Sequence, residues 1–437
     1  MKNNSLSILT LIILMAGFTQ TTFATNGYQL IGIGGYQKSL AGAVTAKPGS
    51  AMTAITNPAG MARIGKRTDF SLEMFSPERY VDFTPLGGSK QDSSAEQYGV
   101  PALGWTAPIE DDSDIYFGGG IYGTSGMGAD YPQTLVSPAG GAFGNATYFD
   151  GYSAIQFWQM APTIAWNHDD KLTLGISLNI DYQSVSLKET LMADTDANTI
   201  PETNMVNLDL SRTAQAFGFG LSLGLLYDIN DQITIGASYK SKQEFSDLEY
   251  NLNYGDIMDS MGFFSITGCA GNICPAGTYK LELDYPEIFA MGIAYSPTKP
   301  LTISLDLKLI QWSETLNTLN ISGPNGEKII LPSGWDDQTI IALGVEYDVN
   351  EKLRLRAGYN QSDASIDNTD TFNNLILPAT TEKHFAIGAD YRLGKYWDFG
   401  FHISKADKNE LTDSAFGFGA KIGLEITTIG INLGYRF

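Results

Sequence analysis

A catalytic pattern occurs at 220–224, where GLSLG matches the G-x-S-x-G nucleophile elbow of hydrolases such as lipases. That elbow places its serine on a sharp turn from a strand into a helix. Here the motif lies inside a stretch that alternates like an unbroken strand, so we interpret Ser222 as an ordinary strand residue. A catalytic serine also needs a histidine within reach, and the chain has only 3. The sequence therefore favours a protein that is not an enzyme.

A metal-binding pattern begins at 194–198, where DTDAN resembles the start of a calcium loop. Such a loop requires glycine at its sixth position and glutamate at its twelfth. Thr199 and Met205 stand there instead. We therefore predict no calcium loop and no specific metal site, the alternative being loose binding of a divalent cation at an exposed loop. No motif indicates a cofactor.

The first 24 residues indicate export. Lys2 is followed by an apolar stretch at 6–18 and by the small-residue site TFA at 22–24, which together are typical of a signal peptide. Outside the cytoplasm, Cys269 and Cys274 are expected to form a small loop disulfide, the alternative being two free thiols. Two cysteines without a nearby histidine make a poor zinc site.

Strand-like alternation dominates the rest of the chain. In 171–182 and 216–228, leucine, isoleucine, phenylalanine and tyrosine alternate with glycine, serine and asparagine. No apolar run after residue 25 approaches the ~20 residues that a membrane helix needs. Alternation over about ten residues, with one apolar face and one polar face, is typical of strands in a transmembrane barrel. A net charge of −21 disfavours nucleic acid as a partner.

The connections between these strands fall into two length classes, short on one side of the membrane and long on the other. The short turns are predicted at 109–114, 167–171, 228–231, 296–300, 348–351 and 393–396. The long outer loops are predicted around 77–96, 123–153, 190–210, 252–277, 317–334, 361–379 and 406–416. These connections predict an all-β fold, a transmembrane antiparallel β-barrel of about 14 strands spanning 67–437.

Charges of both signs occupy the inward positions of several predicted strands. They are expected to pair with one another across the barrel interior, or alternatively to guide a carboxylate. They are Asp306, Lys308, Glu346, Arg354, Arg356, Asp390 and Arg392.

Two segments depart from the alternation. Residues 25–66 are rich in small residues yet too apolar for a tail in water, so we predict an N-terminal hatch that plugs the lumen. Consecutive glycines at 118–120 predict a bulge or kink in the third strand, and with it a lateral gap in the wall.

The sequence resembles the FadL/TodX family of outer-membrane transporters for long-chain fatty acids and hydrocarbons. The matching features are NGYQL at 26–30, NPAG at 57–60, the glycine-rich third strand, and a last strand that ends on Phe437. The chain departs from the family pattern at Ala43 and at 47–49, where the family carries acidic residues.

The resemblance implies a passive pathway for hydrophobic molecules in the outer membrane of a Gram-negative bacterium. Ligand would land on an outer-loop groove, pass an internal pocket, move the hatch and leave sideways at the third strand. The residues implied are Tyr28, Leu30, Asn57, Pro58, Ala59 and Gly60 for the pocket and hatch, Gly118, Gly119 and Gly120 for the gap, and Met127, Leu135, Val136 and Phe143 for the groove.

The expected partners are the hydrophobic ligand, outer-membrane lipid and lipopolysaccharide, and the assembly machinery, which would recognise Phe437. The chain is expected to be a monomer. Two other functions stay open, namely an adhesin or structural barrel that uses its outer loops and, less favoured, an outer-membrane lipase.

Overall fold

The computed structural model describes residues 26–196 and 200–437, so the predicted signal peptide at 1–24 lies outside the described residues. The strands are β1 Arg67–Asp82, β2 Lys90–Asp92, β3 Tyr98–Pro108, β4 Ile115–Ser137, β5 Ala146–Met160, β6 Thr163–Asn167, β7 Leu172–Asp194, β8 Thr203–Asn230, β9 Ile233–Lys240, β10 Glu244–Phe245, β11 Leu248–Leu252, β12 Ile257–Asp259, β13 Ser265–Thr267, β14 Gly277–Glu282, β15 Ile288–Thr298, β16 Leu301–Ile310, β17 Leu319–Ser322, β18 Lys328–Leu331, β19 Gln338–Asp348, β20 Leu353–Gln361, β21 Lys383–Leu393, β22 Trp397–Thr412 and β23 Lys421–Arg436. The α-helices are α1 Gly34–Ser39, α2 Thr53–Thr56 and α3 Ser313–Leu316, and the 3₁₀ helices are Pro58–Ala62, Thr84–Leu86 and Phe372–Asn374.

The wall is a closed antiparallel barrel. Its first strand, β1, pairs with β3 on one side and with the last strand, β23, on the other, in register from Arg67↔Arg436 to Asp82↔Lys421. Of the 18 strands in this sheet, β2, β10 and β12 are short additions at the outer end, and β5 and β6 are two halves of one broken strand. The wall therefore has fourteen strands, which confirms the predicted barrel.

The outward face of the wall is apolar, as the alternation predicts. On β8, for example, Phe217 and Leu223 are 59% and 48% exposed, whereas Ser222 on the opposite face is buried. An outward apolar band lowers the free energy of the barrel in lipid, where backbone groups have to be paired within the protein.

No helix in the part of the chain that the structure describes is long and apolar enough to cross a membrane.

The six short turns lie where the sequence predicts them, but the outer-loop boundaries do not all hold. The predicted loop at 123–153 is wrong, because β4 continues to Ser137 and β5 already begins at Ala146. The loop predicted at 190–210 is likewise shorter than predicted, because β7 ends at Asp194 and β8 begins at Thr203. These strands extend beyond the ~10 residues that cross a bilayer, and the outer parts of β4 and β7 are buried on both faces, which removes the alternation on which the prediction rests. The outer end of β8 keeps its alternation, with Val206, Leu208 and Leu210 buried, so that part of the strand could have been predicted.

A second, five-stranded sheet joins two outer loops. Strands β11, β14 and β13 come from the loop after β9, and the hairpin β17–β18 from the loop after β16 is inserted between β14 and β13. Cys269 and Cys274 form a disulfide within the first of these loops. The two loops are therefore held together by backbone hydrogen bonds above the barrel.

The barrel is expected to close without the N-terminal segment, because β1 pairs with β23 through residues of 67–437 alone. A variant that lacks 26–66 but keeps the signal peptide should still migrate as a compact species before boiling and as an extended one after boiling. A control that lacks 421–437 removes β23 and should show only the extended species. Loss of the compact species in the first variant would contradict an independently closing wall.

Candidate functional site

The N-terminal segment, residues 26–66, places its backbone directly against lumen-facing glycines of the wall. A methyl group at Gly175 would lie 2.3 Å from the Ala59 nitrogen, and one at Gly224 would lie 2.1 Å from Asn57 Oδ1. These two glycines are register partners on β7 and β8. Similarly close approaches to the segment occur at Gly104, Gly236, Gly358 and Gly388. We call these six glycines the glycine belt, and any side chain on it would overlap the segment.

The sequence Asn57–Pro58–Ala59–Gly60 forms the corner where this segment turns toward the first strand. Pro58 begins a 3₁₀ helix, and Asn57 Oδ1 caps it by accepting a hydrogen bond from the Ala59 nitrogen at 3.2 Å. Asn57 Nδ2 donates to the carbonyl oxygens of Thr45 at 2.7 Å and of Leu225 on β8 at 3.0 Å. One buried side chain thus joins two parts of the segment to the wall.

Polar groups of the wall hold the middle of the segment. Asp306 Oδ2 accepts hydrogen bonds from the backbone nitrogens of Val44 at 2.9 Å and Thr45 at 2.7 Å. The buried Lys38 ammonium lies 3.1 Å from the carboxylate of Glu73 on β1. Further bonds to the segment come from Asp69, Asn432, Arg356 and Asn360. Because these donors and acceptors are buried, separating them leaves polar groups without partners, which is unfavourable.

Most of the inward charges predicted to pair do so. Arg356 Nε lies 3.0 Å from Glu346 Oε2, and its Nη2 contacts Asp390. Arg354 and Arg392 pair with acidic neighbours of their own. These charges therefore form a polar network at the end of the barrel that carries the short turns.

Tyr28 lies in a buried pocket of aromatic rings. Its ring centroid is 4.7 Å from that of Trp312, 5.8 Å from Tyr285 and 5.9 Å from Trp335. The indole nitrogens are satisfied, since Trp312 Nε1 donates to Gln338 at 3.0 Å and Trp335 Nε1 to an asparagine at 2.9 Å. We call these four rings the aromatic box. Burial raises the pKa of the Tyr28 phenol well above its usual value, so the pocket is lined by a neutral hydroxyl and apolar rings.

A second aromatic group lies on the outer loops, which we call the phenylalanine cluster: Phe143, Phe263, Phe372, Phe416 and Phe418. Ring centroids are 5.2 Å apart for Phe143–Phe418 and for Phe263–Phe372. Phe416 is 38% exposed. Since the five rings come from four different loops, the cluster forms only in the folded barrel.

The predicted groove residues separate in the structure. Phe143 belongs to the phenylalanine cluster. Leu135 and Val136 lie on β4 rather than in a loop, with Val136 buried. Met127 also lies on β4, deeper in the wall, and does not line an outer-loop groove. Leu135, Val136 and Met127 lie in the wall because β4 is longer than the sequence analysis predicts.

The wall separates between β3 and β4. Their pairing runs from Pro108↔Tyr116 to Ala102↔Tyr122 and then ends, although β3 begins at Tyr98 and β4 continues to Ser137. The predicted gap residues Gly118, Gly119 and Gly120 still pair with β3. The kink lies at this triplet, where Gly119 has φ 146° and the next wall strand breaks between β5 and β6. The separation itself begins beyond Tyr122.

A cavity of about 160 Å³ lies at this separation, which we call the lateral cavity. Its lining includes Leu30, Phe75, Arg79, Tyr98, Val100 and Met127. The start of the N-terminal segment closes it from inside, because the Leu30 nitrogen donates to the Thr124 oxygen at 3.1 Å and the Gly126 nitrogen donates to the Tyr28 oxygen at 3.1 Å. Residues 28–30 thus supply β4 with backbone partners where β3 no longer does.

Ser222 has none of the geometry of a nucleophile elbow. It lies within β8, which continues to Asn230, and it exchanges hydrogen bonds with Asn179 on β7. Of the histidines, His402 hydrogen-bonds Glu73 at 3.0 Å, far along the wall from β8.

Comparison with known proteins gives the same architecture. Residues 14–437 match the family described as outer membrane protein transport protein (OMPP1/FadL/TodX). The chain belongs to this family. It is a protein of the Gram-negative outer membrane. A 47 kDa outer membrane protein of Pasteurella multocida is 26% identical over 420 residues, which cover 92% of each chain.

Two further comparisons give the degree of similarity to proteins of this family and fold. A long-chain fatty acid transport protein of Escherichia coli is 24% identical over 288 residues, 61% of this chain and 60% of that one. The crystal structure of the Pseudomonas putida toluene transporter TodX superimposes with a TM-score of 0.68 at 18% identity, covering 93% of this chain and 99% of that chain. At this identity the structural likeness establishes the fold alone.

Sequence reasoning missed most of the rings that surround Tyr28 in this OMPP1/FadL/TodX protein. Trp312 and Trp335 lie in a long outer loop, and Tyr285 lies just before β15. Tryptophans at loop positions next to membrane strands are also typical of interfacial girdles, so their inward placement has no sequence signal. The FGF sequence at 416–418 was a usable signal for the phenylalanine cluster, because two large apolar side chains in a predicted outer loop indicate an apolar surface patch.

The glycine belt predicts a specific effect of Gly175→Ala. The added methyl group would overlap the Ala59 backbone and loosen the N-terminal segment at a cost of about 1–3 kcal/mol. We expect higher ion conductance of the variant in planar bilayers. Gly99→Ala is the matched control, since a methyl group there meets no atom within 4 Å. Equal conductance of the two variants would show that the contact does not hold the segment in place.

Proposed function

We propose that this protein is a passive channel for hydrophobic small molecules, of the long-chain fatty acid or hydrocarbon class. Support comes from the family, whose members include a long-chain fatty acid transport protein, and from the shared fold with a toluene transporter. It also comes from a chain of apolar sites in the structure that runs from the outer loops to the wall.

The proposed route starts at the phenylalanine cluster. Phe416 is exposed there whereas Phe372 is buried, so the cluster offers a partly exposed apolar surface, which favours the transfer of an apolar molecule out of water. The next apolar site inward is the aromatic box around Tyr28, whose rings would enclose an aliphatic chain or an aromatic ring.

Tyr28 connects the aromatic box with the contact between residues 28–30 and β4, which we call the gate. Its ring belongs to the aromatic box, while its backbone oxygen accepts the bond from Gly126 that seals β4. A ligand that displaces the ring would therefore also strain the seal. This double role of one residue is the observation that carries the proposal, with residues 26–66 as the hatch and 57–60 as its fixed corner.

The proposed exit is the lateral cavity between β3 and β4. Once residues 28–30 withdraw from Thr124–Gly126, the cavity would connect the lumen with the bilayer. An apolar ligand moving sideways into lipid avoids the water beyond the lumen, and no energy source is needed for that step.

We further propose that the assembly machinery recognises the end of β23. Ile429, Ile431, Leu433 and Phe437 form an exposed apolar row along β23 and the residue that follows it. Outer-membrane lipid and lipopolysaccharide would surround the apolar band, and the channel would act as a monomer.

A cysteine pair tests the gate. Gln29 and Ser125 form an isolated antiparallel bridge, so Gln29→Cys combined with Ser125→Cys would place two thiols within disulfide distance. Under oxidising conditions we expect uptake of labelled laurate by a host lacking its own transporter to fall about tenfold or more, since the seal can no longer open. A reductant should restore it.

The controls distinguish the effect of the engineered disulfide from other effects of the substitutions. Each single cysteine variant should transport normally in both conditions. The unmodified protein should be insensitive to reductant, although its own disulfide joins Cys269 and Cys274 in an outer loop. Full transport by the oxidised double variant, with the disulfide verified by mass spectrometry, would refute a gate at 28–30. Transport of no hydrophobic molecule by the unmodified protein would instead favour an adhesin or structural barrel.

A further inference from the structure

The lateral cavity contains a buried arginine among apolar side chains. Arg79 faces inward from β1 and is 5% exposed, while Phe75, Val100 and Met127 line the same cavity. A guanidinium is charged at every physiological pH. Placing it in an apolar site is unfavourable unless a partner compensates the charge.

The partners that Arg79 has are neutral. Its Nη1 donates to the Ala95 carbonyl oxygen at 3.1 Å, and its guanidinium carbon lies 5.7 Å from the ring centroid of Tyr98. No carboxylate within residues 26–196 or 200–437 forms an ion pair with it. This contrasts with the other inward arginines, because Arg354 and Arg356 each pair with carboxylates.

A second polar group near Arg79 is also unsatisfied. The Tyr131 hydroxyl on β4 is fully buried and makes no hydrogen bond among the described residues. Tyr131 is close enough for its hydroxyl to interact electrostatically with the guanidinium. A buried cation without an acidic partner and a buried hydroxyl without a hydrogen-bond partner are polar groups that a site for an acid would offer, and the lateral cavity supplies the apolar lining.

We propose that Arg79 is a specificity-determining residue that binds the carboxylate of a single-chain organic acid in the lateral cavity. The inference rests on the proposed transport function and narrows its substrate class from hydrophobic molecules in general to acidic amphiphiles. The carboxylate would accept charge-assisted hydrogen bonds from the free guanidinium nitrogens, and the chain would lie along Phe75, Val100 and Met127.

Charge and size both favour a carboxylate. One guanidinium neutralises one negative charge, whereas a phosphate monoester carries about −1.5 to −2 and would leave excess charge buried. The cavity, about 160 Å³, is close to the volume that holds one small aromatic ring. It therefore accepts part of one chain and not the paired chains of a bilayer phospholipid.

Uptake of chemically matched ligands tests this role. In a host lacking its own transporter, initial uptake rates of laurate, 1-dodecanol and dodecyl phosphate are compared for the unmodified protein and for Arg79→Gln. We expect Arg79→Gln to lower laurate uptake about tenfold, because one charge-assisted interaction is lost, and to leave 1-dodecanol uptake within about twofold. Arg79→Lys keeps the charge and should restore part of the laurate uptake.

Arg212→Gln is the matched control. Arg212 also donates to a backbone carbonyl oxygen, that of Asn251, but from the outer region rather than from the lateral cavity. This variant should transport all three ligands normally. If Arg79→Gln fails to fold, as judged by its mobility before and after boiling, Arg79→Lys gives a milder version of the same test with a smaller loss of laurate uptake.

Three results would overturn the inference. They are unchanged laurate uptake by Arg79→Gln, an equal fall for laurate and 1-dodecanol, and a fall for dodecyl phosphate alone. All three require that the unmodified protein transports its ligands, so they leave the proposed channel intact. Uptake of no ligand by the unmodified protein would refute the channel itself.

Discussion

The close contact between the N-terminal segment and the glycine belt is the constraint on which the rest of the structure depends. Residues 26–66 fill the lumen, and the space for their backbone comes from wall positions that carry no side chain. Paired glycines such as Gly175 and Gly224 let the backbone of the segment touch the backbone of the strands. Close packing of this kind fills the space between the segment and these strands.

Attachment of the segment is uneven along its length, and the proposed gate follows from that difference. Its middle is held by buried polar contacts, including Asp306 with two backbone nitrogens and Lys38 with Glu73. Its start, at 28–30, is held to β4 by two backbone hydrogen bonds and by the ring contacts of Tyr28. Breaking buried charged contacts costs more than exchanging one set of apolar contacts for another. In the proposed function, a ligand in the aromatic box would therefore release the start of the segment while the corner at Asn57 stays in place.

The sequence predicted the features that depend on local pattern. Alternation identified the strands, the acidic and proline-containing turns marked the short connections, and the glycines on the polar face were placed correctly in the lumen. Where a strand leaves the bilayer and is buried on both faces, the alternation ends although the strand does not, and the outer boundaries of β4 and β7 were missed for that reason. The aromatic box, the separation beyond Tyr122 and the unpaired Arg79 arise from contacts between residues far apart in the chain. A local pattern has no information on such contacts.

The direct test of a sideways route is to locate the ligand inside the working channel. A fatty acid with a photoreactive diazirine at the end of its chain would be supplied to cells, irradiated during uptake, and mapped on the protein by mass spectrometry. A lateral route predicts labels on the aromatic box and then on Phe75, Val100 or Met127. A route straight through the barrel predicts labels at the polar cavity of about 410 Å³ beside the short turns, which is lined by Arg67, Asp348, Arg392 and Asp398. Labels there, with none in the lateral cavity, would contradict the account.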